Sequence, residues 1–178
     1  MSNAKNSLKI RRMVYAAICV ALALVLPFLT GQIPQVGKML CPMHIPALLC
    51  GFMCGPVWGL VVGLVSPILR SLIFGMPVMF PTAVSMAFEL AAYGWLTGIL
   101  YKHLPKKAGY IYLELILAMM AGRVVAGATM YFLMMAKGQA YTMTAFITTN
   151  FVTAVPGIIL QVIVIPVIVM ALKKAKLI

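Results

Sequence analysis

Four stretches of this chain, residues 13–30, 80–101, 110–135 and 147–172, are apolar and long enough for each to cross a lipid bilayer as a helix. About 20 such residues suffice. Lipid offers a backbone no hydrogen-bond partners, so a spanning segment has to satisfy its own peptide groups, and a helix does so. The composition agrees: 64% of the residues are hydrophobic and 9% charged, where a soluble domain carries about 25% charged residues.

Residues 40–74 form a fifth apolar stretch, interrupted at Gly55-Pro56. It reads either as one long helix or as two short ones, and the basic residues decide between them. Ten of the fourteen lie in three clusters: Lys5/Lys9/Arg11/Arg12, Lys102/Lys106/Lys107 and Lys173/Lys174/Lys176. With two helices in 40–74 all three clusters fall on one side of the membrane. With one helix the bias disappears. Cytoplasmic loops concentrate lysine and arginine, so the expectation is a single all-α membrane domain over 1–178 with six transmembrane helices and both termini cytoplasmic. The helices are expected at about 13–30, 40–54, 56–74, 80–101, 110–135 and 147–172, the second and third short or tilted. Outer loops then fall at 31–44, 75–79 and 136–146.

The net charge of +12 invites a nucleic-acid reading. The cations sit at the ends of apolar segments, where they set topology, and nucleic acid is not expected as a partner. A signal-peptide reading of the basic N-terminus is disfavoured, because no small-residue cleavage site stands out and further spans follow. Cys19, Cys41, Cys50 and Cys54 lack accompanying histidines or carboxylates at metal-ligand spacing and read as small packing residues. No phosphate-binding loop, nucleophile–base set or paired acids are present, so neither catalysis nor ATP hydrolysis by this chain is expected, and no cofactor or metal.

What carries information is the polar residues inside the spans. Glu89 stands in VSMAFELAAYG and Arg123 in AGRVVAG, at similar depth on sequential antiparallel helices. Ions at mid-bilayer face the protein interior and pair, or serve a ligand or pathway. Glu89 is therefore expected to meet Arg123, either as a structural salt bridge or as part of a ligand cavity, with proton coupling by Glu89 a third reading. Arg70 either snorkels to the interface or points into an outward cavity. Gln161 and Asn150 either bond helix to helix or bind ligand. His44, in CPMHIP, guards a helix entrance beside the loop residues Gln32 and Lys38. Small residues recur at four-residue spacing in Gly59/Gly63, Gly94/Gly98 and Ala17/Ala21, which lets helices approach closely.

Six helices in this length, the basic N-terminus, Ala17-x3-Ala21 and the segments HIPALLCGFMCGPVWGLVVGL, FPTAVSMAFELAAYGWLTGILY, AGRVVAG and VPGIILQVIVIPVIV resemble the substrate-binding S components of energy-coupling factor (ECF) transporters, riboflavin- and pantothenate-type members in particular. The resemblance implies capture of a vitamin-like micronutrient from outside, with a membrane coupling protein and two cytoplasmic ATPases supplying the energy. It implies docking on the coupling protein through Ala17 and Ala21. It also implies a binding site in the outer half, built from the first loop and the last three helices, which by position takes in 31–44 with His44, Glu89, Arg123, Asn150 and Gln161; Arg70 joins these candidates on its own reading as a cavity residue. If Glu89 and Arg123 neutralise each other, the remaining cations favour a small polar or anionic substrate, with pantothenate a candidate. Tyr131, Tyr141, Phe146 and Phe151 keep a riboflavin or pyridoxine-like ring open. A stand-alone secondary carrier and a ligand-free assembly subunit are the rival readings.

Overall fold

The computed structural model describes residues 2–30, 33–105 and 107–175, and all regular structure among them is helical. Helix α1 runs Ser2–Val25 and ends in a 3-10 turn, Leu26–Thr30. After the short α2 (Pro34–Leu40) come α3 (His44–Cys54) and α4 (Pro56–Phe74). A kinked turn at Met79–Ala83, with Phe80 extended, leads into α5 (Val84–His103), followed by α6 (Ala108–Ala136). The short α7 (Met143–Ile147) and a π turn, Thr148–Val152, precede α8 (Val155–Lys174). Gln32, Lys106 and Lys176, and the side chains of Lys5 and Lys38, lie outside the described residues.

Five helical stretches are long and apolar enough to cross a membrane: Asn6–Leu29, Pro56–Phe74, Met79–His103, Ala108–Ala136 and Met143–Lys174. The chain is a multi-pass helical membrane protein. Helix α3 differs from these five. Its 11 residues span roughly 16 Å, about half of a 30 Å hydrocarbon core. It packs against α1, α4, α5 and α8, and Ala47, Leu48 and Cys50 are fully buried. Being surrounded by protein, α3 can begin in mid-bilayer without exposing its first N–H groups to lipid.

The α3–α4 break follows from two adjacent residues. Gly55 has φ 92°, a region that side-chain-bearing residues avoid. Pro56 then opens α4 at a position where its missing N–H leaves no bond unmade. Past the break, α4 lies on α5 at backbone contact: a Cβ on Gly94 would stand 2.2 Å from the Gly59 carbonyl oxygen, and one on Gly63 2.2 Å from that of Leu90. Such close approach is a main source of helix association in lipid, where apolar burial gains little.

Among the described residues, three clusters fill the rest of the interior, one of them Met43, Ala47 and Leu90. Leu48, Leu49 and Phe52 of α3 meet Tyr93 and Tyr101 of α5, Ile111, Leu115 and Met119 of α6, and Ile165 and Val169 of α8. Ala16 and Cys19 of α1 pack on Cys50 and Cys54 of α3 and Val62 of α4. Three of the cysteines therefore sit in an apolar helix interface.

Candidate functional site

Residues 26–30, 33–44, 75–83 and 137–154 gather at one end of the bundle, and between them lies a cavity of about 380 Å³. Its walls come from the turn ending α1 (Pro27), the α2–α3 turn (Cys41, Pro42, Met43), the end of α4 (Arg70), the turn before α5 and its start (Thr82, Ser85, Met86, Glu89), the second half of α6 (Arg123, Ala126, Met130) and the turn before α8 (Asn150, Ala154). The basic clusters, Lys9/Arg11/Arg12, Lys102/Lys107 and Lys173/Lys174, stand at the opposite ends of the same helices.

Five of the six residues singled out for ligand contact line this cavity: His44, Arg70, Glu89, Arg123 and Asn150. Gln161 is fully buried but is not among its lining residues. It donates from Nε2 to the Cys41 carbonyl at 3.4 Å, so it braces the α2–α3 turn from α8.

The expected contact between Glu89 and Arg123 is not formed. Glu89 Oε1 accepts a 2.8 Å hydrogen bond from the Tyr93 hydroxyl and stands 3.5 Å from His44 Nε2. Depth along a helix does not set direction around it: Glu89 turns toward α3, whose first residue is His44. Arg123 instead donates from Nη1 to the backbone carbonyl of Asn150, in the π turn, and lies 5.9 Å over the Phe151 ring. Its Nε and Nη2 are buried and have no hydrogen-bond partner.

Arg70 is 3% exposed, so it does not snorkel to a surface. It donates from Nη1 to the Leu24 carbonyl and sits against the packed pair of rings Phe28 and Phe74, at 5.1 and 5.2 Å from their centroids. Asn150 donates from Nδ2 to the Phe146 carbonyl at 3.1 Å and reaches the Tyr141 hydroxyl at 3.4 Å. Burial pushes the Cys41 thiol up to about 12, and burial also raises the Tyr141 phenol, so both enter the wall as neutral groups. Among the described residues, the charged groups of the wall are thus two guanidiniums and one carboxylate, with His44 beside the carboxylate.

Sequence reasoning missed Tyr93, although Glu89-x3-Tyr93 is the spacing at which helical side chains meet. It missed the methionines Met43, Met76, Met86 and Met130 that make much of the apolar wall. It also left Glu114 unweighed. That residue is fully buried on α6 with neither carboxylate oxygen hydrogen-bonded. It is outside the cavity lining. No group of three or more metal-ligating side chains occurs among the described residues.

Fold and cavity together define a polytopic helical membrane protein with a largely apolar, small-molecule-sized pocket sunk between its helices. Residues 11–169 match the family described as ECF transporter, substrate-specific component, and the chain belongs to that family. It is therefore a transporter subunit that captures a substrate for uptake. No curated protein and no solved structure matches the chain.

Proposed function

We propose that this chain captures a small, anionic, vitamin-like micronutrient from the outer face of a bacterial plasma membrane. Uptake follows in complex with an ECF coupling protein and two cytoplasmic ATPases. The observation that carries this reading is the cavity's place: it opens at the end of the bundle opposite the basic clusters, which the positive-inside tendency assigns to the cytoplasm. On this reading there are six membrane helices, α1, α3, α4, α5, α6 and α8, with α3 a half-span. Both termini are cytoplasmic.

His44, Arg70, Glu89, Arg123 and Asn150 contact the substrate, and Gln161 supports the turn above α3. Pantothenate is the favoured candidate within the riboflavin- and pantothenate-type branch. Of Tyr131, Tyr141, Phe146 and Phe151, only Tyr141 lines the cavity, which speaks against a sandwiched flavin or pyridoxine ring. The volume of about 380 Å³ lies near the lower end of the roughly 300–1,000 Å³ usual for small-molecule sites.

Ala17 and Ala21 are exposed on α1, while Ala16 and Cys19 face α3 and α4. This supports docking of the alanine strip on the coupling protein. The test is purification from a membrane, followed by native mass spectrometry. Recovery of an ATPase pair together with a bound small anion is expected. A protein that transports without ATPases would be a stand-alone carrier, and one that neither binds a small molecule nor recruits ATPases would be an assembly subunit.

A further inference from the structure

We propose that the Nε–Nη2 edge of Arg123 receives a carboxylate of the captured compound, while Glu89 accepts from hydroxyl or amide N–H groups at the compound's other end. The ligand class is then a small monocarboxylate whose hydrogen-bond donors lie several bonds from the acid. This assignment rests on the cavity's being the capture site.

Arg123 carries the argument. It is 2% exposed and lines the cavity. Its Nη1 is engaged by the Asn150 carbonyl, but Nε and Nη2 have no partner. Buried donors almost always find an acceptor, and each one that does not calls for an explanation. These two N–H groups share one edge of the planar guanidinium, parallel and spaced to match the two oxygens of a carboxylate. The obvious internal acceptor was Glu89, and it is held elsewhere, by Tyr93 and His44. The fork is therefore present and unsatisfied within the protein.

Glu89 supplies the other end. Both of its contacts fall on Oε1. A carboxylate accepts on both oxygens, and Oε2 has no hydrogen-bond partner among the described residues. A ligand group there has to be a donor. The charges agree: among the described residues the wall holds Arg70, Arg123 and Glu89, which a monoanion balances, whereas a zwitterion leaves them net positive. A single planar fork also suits a flat carboxylate better than a tetrahedral phosphate, which offers three oxygens and about −1.5 to −2 charges.

The experiment uses the full chain in detergent micelles at fixed ionic strength. Affinity is measured by titration calorimetry for matched pairs: pantothenate with pantothenol, nicotinate with nicotinamide, and biotin with its amide. Riboflavin and pyridoxal phosphate are included as a neutral ring and a phosphate. The expected result is that one carboxylate binds and its uncharged analogue binds at least about 100-fold more weakly, since the analogue strands buried donors. Arg123→Lys, which keeps the charge but loses the fork, should weaken the carboxylate at least tenfold. The uncharged analogue should bind that variant no worse than it binds wild type. Equal binding of a carboxylate and its analogue within threefold would overturn the assignment, as would binding of riboflavin or the phosphate alone. Those outcomes leave the capture reading standing. If no compound binds, this assignment falls and the capture reading loses its support as well. The wild-type comparison stands by itself if Arg123→Lys fails to fold.

Discussion

Tyr93 reaches the Glu89 carboxylate from one helical turn away because Gly122 lies beneath its ring. The hydroxyl donates at 2.8 Å, and a Cβ on Gly122 would stand 2.1 Å from the ring carbons. Gly122→Ala should therefore push the ring off its seat and destabilise the protein by about 1–3 kcal/mol, the usual cost of overpacking. Tyr93→Phe leaves the packing and removes the hydrogen bond to a charged acceptor, which typically costs about 1.5–3 kcal/mol. Thermal unfolding in detergent checks both. If Gly122→Ala leaves the melting temperature unchanged, the packing explanation is wrong.

Glu89 should couple more strongly to His44 than to Arg123. Glu89 Oε1 is 3.5 Å from His44 Nε2, and no ion pair joins Glu89 to Arg123. Residues in contact show interaction energies of about 0.5–3 kcal/mol in double-mutant cycles. Cycles with Glu89→Gln, His44→Ala and Arg123→Gln should place Glu89–His44 in that range, with Glu89–Arg123 below it. The reverse order would restore the pairing expected from depth alone.

The α4–α5 contact should tolerate no side chain. Gly94→Ala places a methyl group 2.2 Å from the Gly59 carbonyl oxygen, and backbone cannot swing aside as a side chain can. A loss of folded yield or a sharp drop in melting temperature is expected. Gly109→Ala is the contrast: nothing lies within 4 Å of its Cβ, and alanine is about 1 kcal/mol better than glycine inside a helix. That variant should melt at the same temperature or higher. Equal losses at both positions would mean that glycine flexibility, rather than close approach, is what matters.

Topology is open to chemical labelling. On a background without native cysteines, Lys137→Cys should react with an impermeant maleimide added outside the cell, since it is exposed beside the cavity end. Lys107→Cys, exposed in the turn between α5 and α6, should react only after the membrane is broken. Outside labelling of position 107 would invert the orientation, and the cavity would then face the cytoplasm.

Docking through α1 separates binding from uptake. Ala17→Trp or Ala21→Trp adds bulk to an exposed strip, where close helix packing needs small residues. Substrate affinity of the isolated subunit should stay the same, while ATP-driven uptake by the whole complex should be lost. Normal uptake with tryptophan at both positions would rule out this strip as the docking face.

Much of this protein is decided by its sequence. Bilayer thickness and the backbone's need for internal hydrogen bonds turn long apolar stretches into helices wherever they occur. Gly55-Pro56 names its own break, because one residue adopts φ 92° and the next cannot continue the preceding hydrogen-bond ladder. The depth of Glu89 and Arg123 is equally legible, since it is a count of residues along each helix. Tertiary structure alone decided what those two groups meet. Direction around a helix axis depends on how neighbouring helices are rotated, and that is set by close contacts such as Gly59 on Gly94 and Gly122 under Tyr93. Those contacts turn Glu89 toward α3, and a π turn before α8 brings a backbone carbonyl to Arg123. The pocket follows from both: its wall joins the turn before α3 to Glu89, Arg123 and Asn150.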